Sequence, residues 1–127
     1  MLNDPAQTRT MREAVRESGR LHGGRRPANR LIDALIAVSG SHAELLSHSE
    51  RPWASATFTG SRHQVTLTFT GLAAVSAAEH FIEAVPEHEF QIPGQLVADA
   101  AVIEASLAML PEPKFTVALE LLLLEDA

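Results

Sequence analysis

Six histidines in a chain of 127 residues are the first groups to weigh, because an imidazole near neutral pH serves both as a metal ligand and as a general base. His42 and Glu44 stand two apart, as do His48 and Glu50, and on a strand each such pair shares a face. Together these four make a nitrogen-and-oxygen donor set that suits zinc, manganese or iron. Glu87-His88-Glu89 repeats the pattern, and His80 lies one helical turn from Glu83. Against a metal centre, no His-Glu-x-x-His spacing occurs and no two histidines are two apart. Cysteine is absent, which removes Cys-type zinc sites, iron–sulfur clusters and thiol chemistry. The preferred reading is therefore exposed histidines beside acids on an acidic surface, and no cofactor is expected.

Catalytic constellations are equally thin. Gly-x-Ser-x-Gly is absent, and Gly40-Ser41-His42 and Gly60-Ser61-Arg62 read as ordinary turns. Gly23-Gly24 has no following Lys-Ser/Thr, so no phosphate-cradling loop is present. The residues left for acid–base work are His63, His42 and Asp99. Asp99 interrupts the apolar stretch Leu96–Ile103; a buried carboxylate needs a partner, and Arg51, Arg62 or an N-terminal arginine would supply one. Trp53, with Arg51, Arg62 and His63 near it in sequence, could line a pocket for an anionic ligand through stacking and charge; a lone Trp more often simply packs.

Positioning these groups requires an α+β domain. Asp4-Pro5 reads as a helix start, with a thinly amphipathic helix over 5–18, and Gly23-Gly24 as a flexible joint. A second helix is predicted over 27–38, with Leu31, Leu35 and Val38 on one face. Residues 42–50 read as a short strand turned by Arg51-Pro52. The alternating 53–59 and 64–70 read as two strands of a hairpin joined at Gly60-Ser61-Arg62. A third helix over 71–85 carries the stripe Leu72, Val75, Ala78, Ile82 and Val85, and Pro86 ends it. Residues 87–92 read as a short strand. Residues 96–110 fit helix and strand periods almost equally. We read a strand, because Lys114–Leu124 alternates over eleven residues after the turn Pro111-Glu112-Pro113 and needs a long antiparallel neighbour. The result is a mainly antiparallel sheet of about six strands with helices on one face, an order that a duplicated α-β-β-β unit would explain. The domain is set at 27–127 and the basic helical arm with its joint at 1–26.

Charge is split along the chain. Residues 1–30 hold seven arginines against three acids, whereas the remainder holds three basic residues against thirteen acids. The arm could contact nucleic acid, but it has no aromatic residue to stack on bases and precedes an acidic body, so this ranks last. No apolar run approaches the length of a membrane span and no signal core is seen, from which a soluble cytoplasmic protein is expected. Near the C-terminus both strand faces are apolar. Leu122 and Leu124 point away from Leu121 and Leu123 and need a cover, so they are the expected interface of a homodimer. The leading function is thus an interaction module that assembles as a homo-oligomer. A small His/carboxylate enzyme or metal-dependent catalyst is the alternative, and the balance leans against an enzyme.

Overall fold

The computed structural model describes residues 26–125; the helix expected over 5–18 and the Gly23-Gly24 joint lie outside them. Two helices, α1 (Pro27–Val38) and α2 (Leu72–Ala84), and four strands, β1 (Glu44–Ala54), β2 (Thr59–Thr70), β3 (Gln95–Ala108) and β4 (Lys114–Glu125), alternate as helix and hairpin, twice over. The strands form one antiparallel sheet in the order β1-β2-β4-β3. Both helices lie on one face, where Leu31, Leu35, Ala74, Ala78 and Phe81 bury Val65, Leu67 and Phe69 of β2 and Val117, Leu119, Leu121 and Leu123 of β4. The α+β antiparallel class holds.

The expected six strands and the duplicated α-β-β-β unit do not. Residues 42–50 and 53–59 are not separate strands: β1 runs straight through Arg51-Pro52, where Pro52 pairs with Ser61. Proline is tolerated there because, among the described residues, β1 is an edge strand, where a missing ladder donor costs least. The chain reverses later, at Ser55–Phe58. There the Ser55 Oγ accepts the N–H groups of Thr57 and Phe58 at 3.3 and 3.1 Å, and the Ser55 N–H donates to the Phe58 carbonyl at 2.8 Å, a side-chain-closed turn. Gly60-Ser61-Arg62 is strand, not turn. A Cβ on Gly60 would lie 1.9 Å from the Leu123 carbonyl oxygen, so the close approach of β4 demands glycine here. The strand expected over 87–92 is instead a 3-10 turn, Val85–Glu87, followed by irregular chain and a single bridge from Ile92 to Gln95.

The helix bounds agree with the periodicity more closely than the buried faces do. In α1, Pro27 occupies the first turn, where its absent N–H costs nothing, and Leu31 and Leu35 are fully buried. Ser39 ends it, donating to the Ile36 carbonyl and accepting the Ala43 N–H at 3.1 Å. In α2 the buried residues are Ala74, Ala78 and Phe81, and Leu72 is exposed. The stripe expected from Leu72 is rotated, because Phe81 fills the core against Phe69 at a ring separation of 5.5 Å. Gly71, at φ 97°, precedes α2 and donates to the Pro113 carbonyl at 2.8 Å, tying the helix to the β3–β4 turn. Strands 95–108 and 114–125 form the long hairpin read from the sequence. No helix among the described residues is long and apolar enough to cross a membrane.

Candidate functional site

The covered face of β2 grades from polar to apolar along its length. Ser61, His63, Val65, Leu67 and Phe69 alternate onto it, and His63 is as fully buried as the three apolar residues. The β1–β2 register sets Glu50 beside His63, Pro52 beside Ser61 and His48 beside Val65. Three chemically active side chains of β1 and β2 are thus delivered under one end of the sheet. His48 Nε2 and His63 Nδ1 are hydrogen-bonded at 2.9 Å, with the rings 5.2 Å apart and nearly parallel. His63 Nε2 meets Ser61 Oγ at 2.7 Å. Two tautomer chains satisfy this line. Either His48 Nε2–H donates to His63 and His63 Nε2–H donates to Ser61, or Ser61 O–H donates to His63 and His63 Nδ1–H donates to His48.

A cleft of about 260 Å³ opens beside this line, walled by Arg26, Pro27 and Ala28 at the start of α1 and by Glu50, Pro52, Gly60, Ser61, Gln95 and Glu125. Arg26 lies 3.7 Å from the Glu50 carboxylate. Burial raises the Glu50 pKa above the ordinary carboxylate value, and the Arg26 charge opposes that rise. Burial pushes His63 down to about 4, with the Arg26 charge pushing the same way; a cation in this low-dielectric surrounding is disfavoured by both. His63 is therefore a neutral imidazole at pH 7. The Ser61–His63 distance is that of a nucleophile and its base, but a base with a pKa near 4 takes a proton poorly at neutral pH. A neutral imidazole is, however, the form that ligates metals. His48, Glu50 and His63 each bring one donor atom, all within 4.8 Å of one another.

The site residues named from sequence are thus redistributed. Of the set His42, Glu44, His48 and Glu50, only His48 and Glu50 join, together with His63; His42 and Glu44 are exposed ahead of them. Of His63, His42 and Asp99, only His63 lies at the site. Asp99 is exposed opposite Leu122, at a bulge in β3; of the partners weighed for it, Arg62 faces Glu120 at 3.5 Å, and the arginines of 1–25 lie outside the described residues. Arg51 and Arg62 are cross-strand neighbours, and Trp53 follows on the same open face of the sheet, away from the cleft. Ser61, read as a turn residue, was missed. Its signal was its place two residues before His63, which carries meaning only once both are in one strand. Leu122 is half-buried, and Leu124 is 8% exposed, already covered within the chain.

No family model matches the chain, and no curated protein matches it. Among solved structures, a chain from the virion of native gene transfer agent (GTA) particle is similar. Its TM-score is 0.54 at 12% identity, and the match covers 77% of this chain and 91% of that one. At that identity the likeness is one of fold.

Proposed function

We propose that this protein is a structural subunit that joins further copies of itself through the edges of its sheet, a binding module and not an enzyme. The carrying observation is the β3 edge. β3 is fourteen residues long and ends the sheet. As far as Glu104 it is broken by bulges at Val97/Asp99 and Val102/Glu104, a common means of blunting an edge. Its last four residues, Ala105–Ala108, have no such protection: they carry no charge and no proline, Leu107 is exposed, and Met109 and Leu110, just beyond the strand, are exposed as well, Leu110 by 84%. An apolar edge that no other described strand pairs with is a template for another strand.

The opposite edge supplies that strand. Leu45 and Leu46 of β1 are exposed, and the register runs Leu45–Leu67–Val117–Ala105 across the sheet, so the apolar parts of both edges lie at the same end. β1 and β3 run in opposite directions. A second copy placed alongside without being flipped therefore sets its β1 antiparallel to this β3, with leucines facing leucines. Such head-to-tail contact closes into rings or extends into tubes. Each apolar side chain fully covered would contribute roughly 1.5–3 kcal/mol. Likeness in fold to a chain of a virion particle, nearly the whole of which matches, supports the reading. The test is sedimentation of the full chain over a range of concentrations. The wild type self-associates, and Leu107→Lys on one edge and Leu45→Lys on the other each reduce it to monomer with the circular dichroism spectrum intact. A wild type that stays monomeric, or a Leu107→Lys variant that assembles as before, refutes the reading.

A further inference from the structure

We propose that His48, Glu50 and His63 form a binding site for one divalent transition-metal ion, of the zinc class, between β1 and β2 beneath the start of α1. This does not rest on the assembly reading. The donor set is two imidazoles and a carboxylate, which suits zinc and its first-row neighbours and not the all-oxygen preference of calcium or magnesium. The two imidazole nitrogens are already 2.9 Å apart. With metal–nitrogen bonds of about 2.05 Å that separation subtends roughly a right angle, and widening it by about 0.5 Å gives a tetrahedral angle.

The surrounding groups complete the case. His63 would ligate through Nδ1, leaving Nε2–H to donate to Ser61 Oγ at 2.7 Å, the outer-shell bond that fixes the tautomer of a ligating histidine. The proton held between the two ligating nitrogens leaves that line as the ion binds: carried on His48 Nε2 it moves to His48 Nδ1, and carried on His63 Nδ1 it moves to His63 Nε2 as the Ser61 hydroxyl turns to accept, so the charge balance is unchanged. Glu50 is a half-buried carboxylate with the Arg26 guanidinium at 3.7 Å, and an ion would neutralise it more closely. Arg26 competes for that carboxylate, which weakens the affinity. Glu50 and Ser61 line the cleft, so the ion has a route in and a coordination position open to water.

The experiment uses the full chain, stripped with a chelator and titrated with zinc by calorimetry and with cobalt by visible absorption. One equivalent binds per chain at pH 7, and cobalt gives the intense bands of a low-symmetry site. Glu50→Gln and His48→Gln each weaken binding roughly tenfold or more, and His42→Gln, outside the cluster, leaves it unchanged. Because His48 is buried, its variant is read only if its thermal unfolding remains cooperative; Glu50→Gln, half-buried and isosteric, decides the matter alone if it does not. Absence of stoichiometric binding, or binding that survives Glu50→Gln and falls with His42→Gln, overturns the proposal.

Discussion

Acid should weaken this fold through one residue. In the native chain His63 titrates near 4, against 6.5 for an unperturbed histidine. A folded-state pKa below the unfolded value means that the unfolded chain binds the proton first. The stability tied to a neutral His63 is thus fully present above about pH 6.5 and is lost as pH falls toward 4. A gap of roughly 2.5 units at about 1.36 kcal/mol per unit comes to about 3 kcal/mol, a large share of the 5–15 kcal/mol typical of a domain. Glu50, beside His63, pulls the other way. Its raised pKa lets the native state take up a proton before the unfolded chain does, so the net loss is smaller than His63 alone would give. His48 and Ser61 hold the two ring nitrogens of His63, and the Arg26 guanidinium lies 3.7 Å from Glu50. The assay is urea unfolding with chelator present, at half-unit steps from pH 7.5 to 4.5, for wild type and His63→Leu. The wild type loses stability across that window, and the variant, less stable at pH 7.5, shows a shallower slope. Parallel slopes for the two proteins would refute the assignment of the acid response to His63.

Three further outcomes follow from the packing. Gly60→Ala drives a Cβ into the β4 backbone and should cost about 3 kcal/mol or more, visible as loss of cooperative thermal unfolding or of soluble expression. Phe81→Ala empties the contact between α2 and Phe69 and should cost 3–5 kcal/mol, as large aromatic truncations do, roughly, read as a lowered urea midpoint. Ser39→Ala removes the hydroxyl that accepts the Ala43 N–H. That buried donor then loses its partner, at roughly 1–3 kcal/mol, by the same measurement.

How legible was this in the sequence? The β3–β4 hairpin was, because Pro111-Glu112-Pro113 marks the reversal and Phe115 to Leu123 alternates without a break. Helix α1 was, because Pro27 and Ser39 bound a clear apolar face. The β1–β2 hairpin was not. Pro52 and Gly60 are turn formers by propensity, yet one sits on an edge that needs no donor and the other beneath an approaching backbone. The residues that do turn, Ser55 to Phe58, continue the apolar–polar alternation of their neighbours and so hid the reversal. The site inherited the error. His48, Glu50 and His63 were all singled out, but their meeting depends on cross-strand register, which the place of the turn decides. With reversals set at both Arg51-Pro52 and Gly60, the strand read over 53–59 falls between Glu50 and His63, which are in fact cross-strand partners. Ser61 failed for the same reason.

The two ends of the sheet separate two chemistries, and the separation is itself testable. His63 shares its cross-strand row with Glu50, Leu121 and Ala100, while Leu107 shares its row with Phe115 and Phe69. Along β2 the rows are six residues apart, or about 20 Å at the rise of a strand, well beyond the ~8 Å over which exposed charges act on one another at physiological salt. Between them lie Val65 and Leu67, both fully buried, so no polar chain joins the histidines to the edge. Protonation at His63 therefore acts on the β3 edge only by unfolding the domain. Leu107→Lys should lose self-association and keep the wild-type acid response, and His63→Leu should show the shallower acid slope and still self-associate at pH 7.5. A His63→Leu chain that is folded yet monomeric at that pH would show the two ends to be coupled through the sheet, against the packing argued from these rows.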